Sequence, residues 1–191
     1  MIKPYEGFKA EKITSNRALP AGGYVAKIYS AKIENYSWGQ VLVVSFDITE
    51  GDYANFFTSQ YKNNQNEDKK WKGTLRLTIP DEKSTYFESN KRSFNNFIFA
   101  LEDSNSGYHF DWDEGKFKGK MLGVLFRNKE WEFNGKTGWT TECAGSCPVA
   151  DIRSGDFKVP ADKPLDNSST QAADTSADVL ADDEDDDLPF N

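Results

Sequence analysis

The chain has 191 residues, with 23 Lys and Arg against 31 Asp and Glu, and a formal net charge of -8. Residues 161–191 hold ten acids and one base, Lys163, which leaves 22 bases and 21 acids in residues 1–160, a net charge of +1. A body so close to neutral excludes a strongly basic clamp on duplex DNA, because such a clamp needs many Lys or Arg side chains at phosphates.

Cysteine and histidine usage excludes a second class of site. Two cysteines, Cys143 and Cys147, and one histidine, His109, cannot complete a tetrahedral zinc site from Cys and His alone.

No apolar run approaches the ~20 residues of a membrane span, and the first residues lack an apolar signal segment. We therefore expect a cytoplasmic protein with no metal, no cofactor and no membrane association.

The first predicted element is a β-hairpin. Residues 24–34 mix apolar and polar side chains, and residues 40–49 alternate them with the period of two that is typical of a strand. Tyr36 and Trp38 fall between the two strands, at the hairpin tip. Side chains at a tip are hard to bury, so we expect these two rings to contact a ligand or partner.

The middle of the chain changes period twice. Residues 53–62 fit either a strand or a helix, because their aromatic residues match both periods. Residues 74–79 alternate apolar and polar side chains and predict a strand. Residues 80–104 carry apolar side chains at helical spacing and predict one helix or two short ones.

A second hairpin is predicted around Asn134-Gly135, the preferred pair for a two-residue type I′ turn. The turn joins strands within residues 120–133 and 136–149, and pairs Phe133 with Lys136. Because successive side chains of a strand point to opposite faces, one face of this hairpin is basic and aromatic and consists of Arg127, Lys129, Trp131, Phe133 and Lys136. The opposite face carries Asn128, Glu130, Glu132 and Trp139.

Three strands, a helix and two further strands form the element order of an OB-fold, a small five-stranded Greek-key barrel that binds oligonucleotides or sugars. The sequence therefore predicts a mainly β fold with one helical segment, an OB-fold-like domain over residues 1–160. Residues 161–191 are expected to be a disordered acidic tail, because the six consecutive acids at 182–187 repel one another and resist burial.

Basic side chains (Lys and Arg) and aromatic side chains are interleaved at several points of residues 1–160. Single-stranded nucleic acid is bound by stacking of bases on aromatic rings together with cationic contacts to phosphates. The side chains expected to make such contacts are Tyr36, Trp38, Tyr61, Lys69, Lys70, Trp71, Lys72, Arg76, Arg127, Lys129, Trp131 and Lys136. The alternative for residues 69–72 is a solvated basic turn in which Trp71 caps the barrel.

The chain ends in an apolar hook that follows the acids. Leu188, Pro189 and Phe190 suit insertion into a small apolar pocket ringed by Lys or Arg on another protein. The residues that form this tip are Asp185, Asp186, Asp187, Leu188, Pro189 and Phe190. The tip resembles that of bacterial single-stranded DNA-binding proteins, which recruits replication, recombination and repair enzymes. In that family the Phe is normally the last residue, whereas Asn191 follows it here.

The body is also similar to a group of small proteins from bacteriophages and prophages of Gram-positive bacteria that are suspected of binding single-stranded DNA. The residues that carry this resemblance are Phe110-Asp111-Trp112, the segment 131–136 and the segment 152–160. The similarity covers roughly residues 1–165, and it implies single-strand binding by the body.

An enzyme is not expected. Asp111 and Asp113 around Trp112 are predicted to be solvated turn residues, His109 has no identifiable partner, and no phosphate-binding glycine loop occurs. We expect no catalytic residues.

The sequence therefore favours a single-stranded DNA-binding protein of a phage or mobile element, acting in the bacterial cytoplasm with replication or recombination partners. Assembly into a homo-oligomer is compatible with this expectation. Two alternatives are a carbohydrate-binding β-barrel module and an interaction protein whose tail occupies the tip-binding pocket of a host repair factor.

Overall fold

One five-stranded antiparallel sheet organises the part of the chain that the structure, a computed structural model, describes: residue 3 and residues 18–165. The strands lie in the order β3-β2-β1-β4-β5. The elements are β1 (Gly22–Tyr36), β2 (Gly39–Ile48), a 3₁₀ turn (Gly51–Tyr53), α1 (Phe56–Asn63), β3 (Thr74–Thr78), α2 (Phe87–Asp103), a second 3₁₀ turn (Glu114–Phe117), β4 (Met121–Phe133), β5 (Lys136–Cys147) and α3 (Val149–Ser154).

These elements confirm the prediction of a mainly β body with five strands and a helix between the third and fourth. Residues 53–62, whose apolar pattern fitted both a strand and a helix, contain most of α1. α3 is a further short helix that the sequence did not predict. Of the helices in the described residues, none combines the length and the apolar character of a membrane span.

The alternation in β2 separates the two faces of the sheet. Leu42, Val44 and Phe46 point to the inner face and belong to the same buried core as Phe97 and Leu101 of α2. Burial of this apolar surface is the main driving force for folding.

The outer face of β2 is covered as well. Val41 and Val43 lie there, each with only 4% of its surface exposed. Their cross-strand neighbours are Glu34 and Lys32 on β1 and Thr78 and Arg76 on β3. The outer face is therefore a layer of polar side chains above two buried valines.

A buried carboxylate positions α1. Asp47, on β2, is fully buried, and it accepts hydrogen bonds from the backbone N–H groups of Ile48, Phe57 and Thr58. Two of these donors belong to the first turn of α1, where N–H groups have no partner within the helix. The side chain of Asp47 therefore fastens the start of α1 to the end of β2.

The second hairpin has the predicted register. Phe133 pairs with Lys136 and Trp131 with Gly138, and the turn residues Asn134 and Gly135 both have positive φ, 50° and 72°. This is the backbone conformation that a type I′ turn requires. The predicted strand over residues 136–149 ends at Cys147, because Pro148 precedes α3.

The chain continues along the sheet after α3. Lys163 forms a parallel bridge with Lys129: its N–H donates to the carbonyl of Asn128, and its carbonyl accepts from the N–H of Glu130, both at 2.8 Å. Composition placed the start of the tail at residue 161, yet residues 162–165 lie against β4. They occupy the edge of β4 that β1 leaves open, since β1 begins at Gly22, opposite Phe126.

Candidate functional site

The tip of the first hairpin carries a cluster of polar and aromatic side chains, called here the tip cluster: Lys32, Glu34, Tyr36, Trp38 and Arg76. The rings of Tyr36 and Trp38 are stacked, with centroids 5.3 Å apart and planes 13° apart. The hydroxyl of Tyr36 donates to Glu34 and accepts from Arg76 at 2.5 Å. Trp38 is 47% exposed. The cluster therefore holds an indole ring in solvent on a fixed support.

Glu34 joins the two cations of the tip cluster. Its carboxylate pairs with Lys32 and, at 3.0 Å, with Arg76. The hydrogen bond from Lys32, with a further one from Tyr36, lowers the pKa of Glu34 to about 2. Glu34 is therefore ionised at neutral pH, and two cations share one carboxylate with a net charge of +1.

A second group of predicted residues lies around Trp71. Its indole N–H donates to the carbonyls of Phe46 and Gly73, at 3.1 and 3.0 Å. Its ring contacts those of Tyr61, at 5.9 Å, and Tyr29, at 5.7 Å. These contacts favour the alternative in which Trp71 caps the sheet, and they leave Tyr61 and Tyr29 as the more exposed rings of the group.

Three lysines and one further tyrosine lie around Trp71. The ammonium of Lys69 lies 4.7 Å from the centre of the Tyr61 ring, close enough for a cation–π contact. Lys70 and Lys72 are exposed, and Lys72 leads into β3 on the same side as Arg76, because the intervening Gly73 and Leu75 are buried. Tyr29 was missed by the sequence analysis. It occupies a β-bulge, which strand periodicity does not indicate.

The third group lies on β4 and β5. The register places Arg127, Lys129, Trp131 and Lys136 on one face, as predicted. Glu142 lies directly opposite Arg127 on that face and pairs with its guanidinium at 2.7 Å and with Lys129 at 3.3 Å. The side chain of Arg127 is only 16% exposed. Arg127 is thus held in an ion pair, Lys129 and Lys136 are the more accessible cations, and Trp131 is partly buried.

Glu142 was also missed by the sequence analysis, although a signal for it was present. Counting cross-strand pairs outward from the Asn134-Gly135 turn brings Glu142 opposite Arg127. Opposite charges at directly paired positions attract each other. The face is therefore less basic than its Lys and Arg content alone implies.

Trp131 lies flat against its cross-strand partner. A Cβ atom added to Gly138 would stand 2.6 Å from the Cζ2 atom of the Trp131 ring, well inside contact distance. The absence of a side chain at Gly138 thus leaves the space in which the ring rests. The backbone of Gly138 thus supports one side of the Trp131 ring, which is partly buried, whereas Phe133 and Trp139 are the more exposed rings of this hairpin.

The two hairpin tips lie at opposite ends of the sheet. β1 and β4 pair only over Gly22–Lys27 and 121–126. Beyond this overlap the first hairpin continues toward Trp38 in one direction, and the second continues toward Phe133 in the other. The predicted residues therefore form three groups spread along the sheet, and a ligand that contacted all of them would be extended.

The chain leaves the described residues beside the second hairpin. The N–H of Leu165 donates to the side chain of Glu130 at 3.1 Å, one residue from Lys129 and Trp131. The predicted tip residues 185–190 and Asn191 lie outside the described residues.

The polar groups outside these three clusters lie within residues 18–165 of the described chain. No group of three or more His, Cys, Asp and Glu side chains is placed there to hold a metal ion. Burial raises the pKa of the Cys143 thiol to about 12 and that of Cys147 to about 11. Both thiols are therefore protonated at neutral pH, and a protonated thiol is a poor nucleophile and ligand.

No protein-family model matches the chain, and no curated protein matches it either.

Proposed function

We propose that the protein binds single-stranded DNA without catalysing a reaction, along the outer face of an OB-fold-like sheet. The strand order supports this proposal. Three antiparallel strands in sequence, β1 to β3, are followed by β4 lying beside β1, an order that a Greek-key barrel would also have. In OB-folds the second and third strands and the loops of the first and last hairpins contact oligonucleotides.

The observation that carries the proposal is the exposed Tyr36–Trp38 stack. A ring that is stacked on one side and in solvent on the other offers a platform for an unpaired base, and such a contact contributes on the order of 1–3 kcal/mol. Arg76 and Lys32 both pair with the carboxylate of Glu34, and the guanidinium of Arg76 lies 5.9 Å from the centre of the Tyr36 ring, so cationic groups stand beside this platform.

The second hairpin supplies a further set of contacts under this proposal. The ring of Trp131 lies against Gly138, with Lys129 and Lys136 on the same face. Because every base has a flat face, stacking on two separated rings gives affinity with little sequence preference. The near-neutral body is compatible with this mode, in which stacking contributes a large share of the binding free energy.

The acidic tail would recruit partners. This part of the proposal rests on the resemblance of residues 185–190 to the tip of bacterial single-stranded DNA-binding proteins. The body would coat exposed strands during replication or recombination of a phage or mobile element in the bacterial cytoplasm, and the tail would bring DNA-processing enzymes to them.

A matched pair of tryptophan variants tests the proposal. Trp38→Ala removes the tip platform, and Trp139→Ala removes a ring of similar exposure, 53%, from the opposite face of the second hairpin. In anisotropy titrations of labelled oligo-dT, we expect Trp38→Ala to weaken binding roughly 5- to 100-fold, and Trp139→Ala to leave it unchanged. Equal affinities for the two variants would contradict the proposed face.

Exposed aromatic rings also suit stacking on sugars, so a carbohydrate-binding module remains the second candidate. The observation in its favour is the same exposed Trp38 ring, stacked on Tyr36, whose hydroxyl is bonded to the carboxylate of Glu34. Repeating the titrations with oligosaccharides separates the two candidates, because a sugar site would lose oligosaccharide affinity in Trp38→Ala.

A further inference from the structure

A β-bulge in β1 turns Tyr29 toward the outer face of the sheet. The pairing of β1 with β2 shifts between Ile28, opposite Phe46, and Ser30, opposite Ser45, so Tyr29 is the extra residue. Bulges commonly re-aim a side chain in this way. Ile28 is fully buried in the core, whereas Tyr29 is 40% exposed. The bulge therefore gives the outer face two adjacent residues of β1, the ring of Tyr29 and the small side chain of Ser30.

Tyr29 belongs to a set of three rings, called here the ring row: Tyr29, Trp71 and Tyr61. The ring of Trp71 lies in the middle, with centroids 5.7 Å from Tyr29 and 5.9 Å from Tyr61. Its indole N–H donates to two backbone carbonyls, which anchor it to the sheet. Tyr61, like Tyr29, is more than a third exposed, and the ammonium of Lys69 lies near its ring. The ring row thus presents two accessible rings on a fixed support.

The cross-strand register connects the ring row with the tip cluster. Between them, three rows of side chains cross the outer face of β1, β2 and β3: Ser30–Ser45–Thr74, Lys32–Val43–Arg76 and Glu34–Val41–Thr78. The row beside Tyr29 carries small hydroxyl side chains, the second carries the cations Lys32 and Arg76, and the third leads to Tyr36 and Trp38. Two sets of rings thus lie at the ends of one path, with cations between them.

The other end of this path is closed by α3. A Cβ atom added to Gly23 would stand 2.5 Å from the side chain of Ile152 and 2.7 Å from that of Phe157, so these residues cover the outer face where β1 begins. Tyr29 is therefore close to the limit of the open part of the outer face on β1. A contact with the second hairpin requires a strand that passes around α3.

We propose that a single strand of DNA lies along this path, which we call the track, with bases on Tyr29 and Tyr61 at one end and on Trp38 at the other. Phosphates between them would contact Lys32 and Arg76. The three rows hold two cations and one carboxylate, so their charge suits a polyanion. This inference rests on the proposed single-strand binding, and it adds Tyr29 as a contact residue and a minimum length of the ligand.

The distance between the two ends determines that length. Ser30 and Tyr36 are six residues apart on β1, which corresponds to ~20 Å at the usual rise of a strand. At the ~3.4 Å per nucleotide of a strand in a duplex, ~20 Å is spanned by about six nucleotides, and by fewer when the strand is stretched. A trinucleotide would need ~10 Å for each of its two steps to span the track, so it contacts one end only.

Substitutions of Tyr29 test the new contact in the full-length protein. Tyr29→Leu keeps an apolar neighbour for Trp71 but removes the flat ring, whereas Tyr29→Phe keeps the ring. In anisotropy titrations of a labelled twelve-nucleotide oligo-dT, we expect Tyr29→Leu to weaken binding roughly 5- to 100-fold, and Tyr29→Phe to bind as the wild type does. Tyr86→Leu is the matched control, because Tyr86 is 49% exposed but lies at the start of α2.

A length series tests whether both ends contact the same strand. The affinity of the wild type should rise steeply between three and about eight nucleotides, as the strand comes to span the track, and this rise should be smaller in Tyr29→Leu. Equal rises in the two proteins would refute a shared track. Wild-type affinity of Tyr29→Leu, where Trp38→Ala weakens binding, would overturn the track and leave the proposed function standing. Failure of the wild type to bind oligo-dT of any length would overturn both.

Discussion

At the scale of single residues, two glutamates set the accessible charge of the candidate surface. Glu34 and Glu142 each pair with two cations, in the tip cluster and on the second hairpin respectively. In each group the carboxylate offsets part of the cationic charge and holds its cations in place. Ordered cations need less reorganisation when they meet a phosphate than free Lys or Arg side chains do.

Glu34 gives the fold a specific pH dependence. Its pKa is lowered from 4.5 to about 2 in the folded protein, so its ionised form stabilises the fold above pH 4.5 and that contribution is lost as the pH falls toward about 2. We expect Glu34→Gln to lower the free energy of unfolding at neutral pH, and the difference from wild type to shrink across this window. Denaturant unfolding of both proteins at several pH values measures this difference in the free energy of unfolding. The exposed loop variant Glu67→Gln is the control, and a pH-independent difference for Glu34→Gln would refute the role.

Gly138 is expected to act through Trp131. Gly138→Ala places a methyl group 2.6 Å from the ring position, so the indole must move. We expect oligo-dT affinity to fall roughly 3- to 10-fold, since part of one stacking contact is lost. Gly145→Ala on the same strand is the control, because its added methyl group would stand 4.0 Å from the Leu125 side chain, an ordinary contact distance. A normal affinity for Gly138→Ala would show that the ring orientation does not matter.

At the scale of elements, local patterns predicted the strands and one hairpin register in detail. Alternation identified β2 and β3, and Asn134-Gly135 determined every pair from Phe133–Lys136 to Arg127–Glu142. These features depend on neighbours in sequence or on a single turn. α1 could not be assigned in the same way, because its start is held by Asp47, a residue that the chain brings in from the preceding strand.

The role of Asp47 in placing α1 can be measured. Asp47→Asn keeps the shape but leaves one acceptor oxygen where the carboxylate has two, so at least one N–H of α1 loses its partner. We expect a loss of stability of about 1–3 kcal/mol in denaturant unfolding, the usual cost of a buried unsatisfied polar group. The surface variant Glu67→Gln serves as the reference here too, and wild-type stability for Asp47→Asn would contradict this account of α1.

At the scale of the whole molecule, the candidate site is extended. The three groups of predicted residues follow the sheet from the tip of one hairpin to the tip of the other, and sequence alone could not arrange them. Their order along the sheet depends on how β1 and β4 overlap, a pairing between segments about a hundred residues apart. The same overlap leaves the edge of β4 open for residues 162–165, which composition had assigned to the tail.

This placement also connects the two parts of the proposed function. The described part of the chain ends at Leu165, whose N–H donates to the side chain of Glu130, between Lys129 and Trp131 in the sequence. The last described residue therefore lies next to one of the three groups of proposed DNA contacts, which suits a protein that holds DNA and recruits partners at once.

The most direct test of single-strand binding is a fluorescence titration of the full-length protein at low salt. Three ligands are compared: oligo-dT, duplex DNA and a neutral oligosaccharide. Stacking on Trp38 and Trp131 predicts saturable quenching of tryptophan emission by oligo-dT, weaker quenching by the duplex and none by the oligosaccharide. Unchanged emission with oligo-dT, together with no binding in a parallel anisotropy measurement, would contradict the account.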